Sequence, residues 1–128
     1  MAKVEYFLQL DRIPGNSKNP RRPGWIPVVT FERSGIGDPR GPDIVDIVAA
    51  AGDPAYAALF EYARSGKHVK KGQLDMYRSG SFRTVLTIQD ALVSTQLNFT
   101  TSASDSNNRD RGPVLMMRLL LYEYKWLA

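Results

Sequence analysis

His68 is the single histidine of the chain, and it stands in a run of cations with Lys67, Lys70 and Lys71. An imidazole can serve as a general base when a neighbouring group holds it and a substrate proton lies within reach. The surrounding charges instead predict a solvated residue just past a helix end. Asp43 and Asp46 lie close in sequence, but on an extended strand residues three apart face opposite sides and cannot share a proton or a metal. Gly35-Ile36-Gly37 resembles a phosphate cradle in part only: it lacks the further glycine and the lysine of a P-loop, and it opens no helix. Asn98-Phe99-Thr100 matches the glycosylation acceptor triplet, a pattern frequent by chance. Tyr122, Tyr124 and Trp126 alternate along the chain and could form a stacking platform, although packing in a core or an interface asks for the same residues.

The composition narrows the chemistry further. There is no cysteine among the 128 residues, which excludes disulfides, thiolate metal sites and cysteine nucleophiles. One histidine is too few for a His-rich metal site, and no Gly-x-Ser-x-Gly elbow occurs. No catalytic residue, metal or cofactor is expected, and elimination leaves a structural or binding protein. The net charge of +4 and a pI near 9.5 permit an acidic partner without demanding one. Glu5 breaks the apolar run that a signal peptide would need, and no segment reaches the roughly 18 apolar residues of a membrane span. The expectation is a protein made in the cytoplasm which, if exported, leaves without a cleaved leader.

The elements that must position these residues are mainly strands. One helix stands out over residues 54–65. Asp53 can cap it, Pro54 suits its first turn, and Gly66 can end it in the left-handed conformation. Tyr56, Leu59, Phe60 and Ala63 recur at helical spacing and predict the buried stripe. Residues 3–11 alternate as a half-buried strand with Val4, Tyr6, Leu8 and Leu10 on one face. Residues 12–24 are turn-rich, carry Arg12, Lys18, Arg21 and Arg22 without an acid, and predict a solvated loop. Residues 25–33 form a second strand, on an edge or bulged at Pro27. Residues 34–42 form a glycine-rich loop, and 44–51 read as a strand. One strand is predicted over 69–78, with a tight turn at Ser79-Gly80. Phe82, Thr84, Leu86 and Ile88 are expected to share a face. Asp90 then interrupts, and Val93, Thr95, Leu97 and Phe99 resume the alternation. Residues 100–112 are a polar loop. Residues 113–127 predict a long strand, apolar on much of both faces, which hints at a partner subunit. The length suits one domain over 1–128, a β-sheet domain with the helix covering one end or flank.

Several stretches resemble the haemolysin-coregulated protein family, Hcp, the tube protein of bacterial type VI secretion. They are Tyr6-Phe7-Leu8-Gln9-Leu10-Asp11-Arg12-Ile13-Pro14-Gly15-Asn16-Ser17, then Ser65-Gly66-Lys67-His68, then residues 72–80. Leu86-Thr87-Ile88-Gln89-Asp90-Ala91-Leu92-Val93-Ser94 and Leu121-Tyr122-Glu123-Tyr124 complete the series. Their order is collinear over nearly the whole chain. Arg12 and Asn16 stand where the family usually has glycine and glutamate.

The resemblance implies a small β-barrel of two packed sheets with one helix on one side. It implies six copies in a ring, and rings stacked into a hollow tube. Its partners would be further copies of itself, a spike protein at the tip, a contractile sheath and effectors in the lumen, and the tube would leave the cell. Pro27, Tyr122, Tyr124 and Trp126 are the expected contacts within a ring, and Ile36 and Arg40 of the glycine-rich loop the contacts to the next ring. Two other readings stand beside this one. A small basic barrel could bind single-stranded nucleic acid through residues 12–24 and the C-terminal aromatics, although nucleic acid is not the expected partner. A phage-like tail-tube or baseplate protein could share the fold.

Overall fold

A computed structural model describes residues 4–34, 43–50, 53–95, 97–100 and 114–127. Its elements in chain order are β1 (Val4–Leu10), β2 (Ile26–Ser34), β3 (Asp43–Ala49), α1 (Asp53–Ser65), β4 (His68–Val69), β5 (Gly72–Arg78), β6 (Ser81–Val93), β7 (Asn98–Thr100) and β8 (Val114–Trp126). All pairings are antiparallel. Around the molecule the order runs β6-β5-β1-β2-β3-β8, and β8 returns to pair with β6, which closes a six-stranded barrel. The short β4 continues the ladder on β6 beyond β5, and β7 continues the ladder on β8 beyond β6.

Alternation supplies the core. Leu8 and Leu10 of β1, Val45 and Ile47 of β3, Leu74 of β5, Leu86 and Ile88 of β6, and Leu115, Leu119 and Leu121 of β8 all point inward and are buried. Their burial from water is the main stabilising term of such a fold. Arg78 pairs with Ser81 across a two-residue turn in which Ser79 and Gly80 both have positive φ. That backbone matches the twist of the two strands it joins.

The helix has one face on the barrel, and it keeps Tyr56, Leu59 and Ala63 of the expected stripe but not Phe60. Ala55 and Leu59 are buried and Tyr62 packs beside them, whereas Phe60 is 49% exposed. The apolar stripe is rotated from Phe60 toward Tyr62, because in a helix Leu59 and Tyr62 lie one turn apart on the same side. Gly66, at φ 71°, ends the helix with its N–H donated to the Tyr62 carbonyl. The Asp53 and Pro54 side chains, expected to cap and start the helix, lie outside the described residues.

Further expectations are refined. The strand predicted over 69–78 is two strands, because Lys70 and Lys71 carry the chain from β6's far end to its pairing with β5. Asp90 interrupts the alternation as expected, at a shift of register against β8, but β6 itself runs on through it for 13 residues. Phe82 and Thr84 do not share a face with Leu86 and Ile88. An extra residue, Val85, sits in β6 opposite the step from Leu74 to Asp75, so the face inverts there. Phe82 consequently packs outside the barrel against Phe7 and Tyr77, and Leu86 faces the core. A second inversion occurs between β6 and β8. Ile88 pairs with Tyr124, Asp90 with Glu123 and Ala91 with Leu121, which leaves Gln89 and Tyr122 as unpaired extra residues projecting outward. One bulge on each strand restores the register while reversing which residues face inward.

Pro27 is half-buried and not on an edge, since it lies between β1 and the end of β3. It pairs with Phe7 of β1, and its carbonyl accepts from the Ala50 N–H just past β3. Its missing donor thus falls at the end of the β2–β3 ladder, and the register slips beside it, between Val28 and Thr30.

Candidate functional site

The double bulge separates the C-terminal aromatics. Trp126 and Tyr124 pack toward the core, and Tyr122, on the bulge, is 46% exposed. The Trp126 ring lies on Phe31 at 6.4 Å with an interplanar angle of 18°, and Tyr6 meets Phe31 edge-on at 5.0 Å. The Trp126 indole N–H donates to the Asp43 carboxylate at 3.0 Å, and Arg33 Nε donates to the same oxygen at 2.7 Å. Asp43 is buried, so both donors satisfy an acid that would otherwise be stranded in the barrel end. Tyr6, Phe31 and Trp126 of this aromatic group are partly buried and pack against the core. Pro27 lies opposite Phe7 in the β1–β2 ladder, and Ile36 and Arg40 lie outside the described residues.

The basic segment 12–24 is no free arm. Arg22 Nε donates to Asp75 at 2.9 Å, and its guanidinium lies 3.8 Å from the Phe82 ring centroid. Asp75 has no exposed surface, and its other oxygen accepts from Gln73 Nε2 at 2.8 Å. Arg21 Nη1 donates to the Gly80 carbonyl at 3.0 Å. The segment is a strap across the outer face of β5 and β6, and two of its four cations fasten it. The sequence offered no signal for this, since Asp75 and Phe82 lie more than fifty residues away.

His68 also has a partner that sequence reasoning missed. Its Nδ1 lies 2.6 Å from Asp90 Oδ1, Lys70 Nζ is 3.7 Å from the same oxygen, and the imidazole lies 5.6 Å from the Tyr122 ring. The Ser-Gly-Lys-His and Leu-Thr-Ile-Gln-Asp stretches therefore meet at the bulge. A paired imidazole of this kind ties the helix exit to β6. Among the described residues no group of three or more His, Cys, Asp or Glu side chains could hold a metal ion, and no helix is long and apolar enough to cross a membrane.

A concavity lies on the outer face of β2, β3 and β8. It is a groove of about 510 Å³ that includes Thr30, Glu32, Asp46, Val48, Met116 and Arg118 in its lining. The register places these in two rows across the sheet, Thr30–Val48–Met116 and Glu32–Asp46–Arg118. Arg118 donates from Nε and Nη2 to the two Asp46 oxygens at 2.7 and 3.2 Å. This hydrogen bond, with the carboxylate's charge behind it, raises the Arg118 pKa. Glu32 has no ion-pair partner among the described residues. Met116 is 49% exposed on this sheet face.

Two strand margins are also open. β2 pairs with β1 only through Ile26–Val28 and then leaves it, so among the described residues, 30–34 have a strand neighbour on the β3 side alone. β7 pairs with β8 and no other described strand.

No family model matches the sequence, and no curated protein does either. Solved structures do match. The fold superposes on Hcp1 from Salmonella typhimurium with a TM-score of 0.76 at 22% identity, over 100% of this chain and 88% of that one. Hcp2 from the same organism matches with a TM-score of 0.73 at 19% identity, over 97% and 87% of the two chains. A type VI secretion system effector from Yersinia pestis matches with a TM-score of 0.67 at 21% identity, over 93% and 84%. The architecture of this chain is thus the one shared by Hcp structures.

Proposed function

We propose that this chain, with the Hcp fold along its whole length, is a structural subunit of a type VI secretion tube. In this reading copies associate head to tail into six-membered rings, and the rings stack into a hollow tube. The observation that carries it is the superposition of the entire chain on Hcp1. Strand number, closure and the flanking helix belong to the barrel itself, so the likeness is not confined to one motif.

The surface fits self-association. Open strand margins at residues 30–34 and at β7 present unpaired backbone groups, which natural proteins cover or block. Met116, Tyr122 and Phe60 add exposed apolar area. A heterologous contact between two different patches generates a ring when the rotation closes. The spike at the tip, the contractile sheath, effectors in the lumen and release from the cell belong to the same proposal. So does a role free of catalysis: the His68–Asp90 pair is read as a structural tie.

The test is the mass in solution by light scattering over a wide concentration range, with negative-stain imaging of the assembled fraction. A six-copy mass and annular particles are expected. A strict monomer at every concentration refutes the proposal.

A further inference from the structure

We propose that the cleft at the root of the strap binds a carboxylate group, with the Arg12 guanidinium as its clamp. The site lies within one copy of the chain, so it does not depend on the tube reading.

The strap begins with a turn whose backbone costs stability. The Ile13 N–H donates to the Leu10 carbonyl at 3.0 Å, and the Asp11 N–H donates to the Lys71 carbonyl at 2.8 Å. Arg12 is the third residue of this turn and has φ 66°. Glycine or asparagine suits that position, because a Cβ crowds the backbone in the left-handed region. Ser79 is the other non-glycine residue with positive φ among those described, and its hairpin accounts for it. No internal contact accounts for Arg12. Its exposed side chain makes no hydrogen bond, ion pair or ring contact among the described residues. An arginine held in strain and idle within the fold points to a contact outside it.

Arg12 lines a concavity of about 410 Å³ with Gln9, Pro14, Pro23 and Trp25. No acidic side chain belongs to that lining, and the Asp11 carboxylate makes no ion pair with Arg12. The Gln9 amide and the Trp25 indole N–H are likewise without a hydrogen-bond partner among the described residues. The lining thus combines one free cation with two further donor groups and two proline rings. Its walls are already in place. Gly15 N–H donates to the Gly24 carbonyl and Ser17 N–H to the Trp25 carbonyl, both at 2.9 Å, and a Cβ on Gly15 would fall 2.3 Å from the Trp25 backbone. A preformed cleft loses little conformational freedom when it is filled.

The donor set selects the ligand. A guanidinium meets a carboxylate fork to fork through two parallel hydrogen bonds. A phosphate carries nearly twice the charge and calls for a second cation, which the lining lacks. The proline and indole surfaces suit the methylenes of an acidic side chain.

The experiment titrates glutamate capped as its N-acetyl, N-methylamide derivative, followed by saturation-transfer NMR on the ligand, which reads binding to one copy or to an assembly alike. Saturable binding is expected, and roughly tenfold weaker binding for capped glutamine, its neutral isostere. Arg12→Gly is expected to lose about tenfold in affinity or more. In chemical denaturation the same variant is expected to raise the folding equilibrium constant about threefold, since relief at Cβ outweighs the freedom glycine adds to the unfolded chain. Arg12→Lys, which keeps the charge without the fork, should fall between in affinity. Ser79→Gly relieves strain elsewhere and Lys18→Gln removes another strap cation; both should leave the affinity unchanged. No saturable binding by the wild type, or equal binding by Arg12→Gly, overturns the site. An equal loss in Lys18→Gln also overturns it, by showing attraction to net charge alone. Sedimentation velocity of Arg12→Gly against the wild type then separates the sources of the acid: weakened assembly places it on another copy, and unchanged assembly with lost binding places it on a different molecule, the site standing in both cases. A wild type that binds capped glutamate and never assembles overturns the tube reading and leaves this site intact.

Discussion

Arg22→Ala is expected to be the most damaging change to any charged residue of the strap. Asp75 has no exposed surface, and in the native barrel its charge is met by Arg22 at 2.9 Å and by the Gln73 amide. Removing the guanidinium leaves a buried carboxylate with one neutral donor. Breaking a buried pair from one side costs about 3–5 kcal/mol. Arg22 is partly exposed, so water can reach the vacated site, and the lower end, about 3 kcal/mol, is the better figure. Loss of the cation over Phe82 adds about 0.5–1 kcal/mol. With a urea m-value of about 1.5 kcal/mol/M for a domain of this size, the midpoint moves down by about 2.5 M. Equilibrium unfolding followed by tryptophan fluorescence reads this directly, since Trp25 lies 5.1 Å from the Arg22 guanidinium. Lys18→Ala, four residues away and unpaired, is expected to shift the midpoint by less than about 0.3 M on the same scale. Equal, small shifts for the two variants would show that the strap is a solvated loop after all, and that the Arg22–Asp75 pair contributes nothing to stability.

Two further outcomes follow from the corrected faces. Leu59→Ala, fully buried under the helix, is expected to cost about 2–5 kcal/mol by chemical denaturation, whereas Phe60→Ala should stay below about 1 kcal/mol; the reverse order would restore the stripe read from spacing alone. Trp126→Phe keeps a ring against Phe31 but removes a donor from buried Asp43, so a loss of about 1–3 kcal/mol is expected; a neutral result would mean that Arg33 alone satisfies that acid.

Much of the architecture could be read before any coordinates. Period-two alternation marked β1, a short β-branched run that fits either period marked β3, Asp53-Pro54 and Gly66 bracketed the helix, and Ser79-Gly80 marked the hairpin, because each signal is written within a few consecutive residues. Absent cysteine and a single histidine bounded the chemistry in the same direct way.

What escaped was whatever depends on a partner strand. Val85, Gln89 and Tyr122 look like ordinary members of alternating runs, and only the register of the neighbouring strand makes them bulges. One such residue inverts every side chain beyond it. That inversion sent Phe82 outside to receive the strap, turned Trp126 inward onto Asp43 and left Tyr122 exposed beside His68. The pairs Arg22–Asp75, His68–Asp90 and Asp43–Trp126 span 53, 22 and 83 residues. Local periodicity determined that this chain would make strands and one helix. Closure of the barrel decided which side chains met, because contacts between distant residues exist only once the strands between them have found their register.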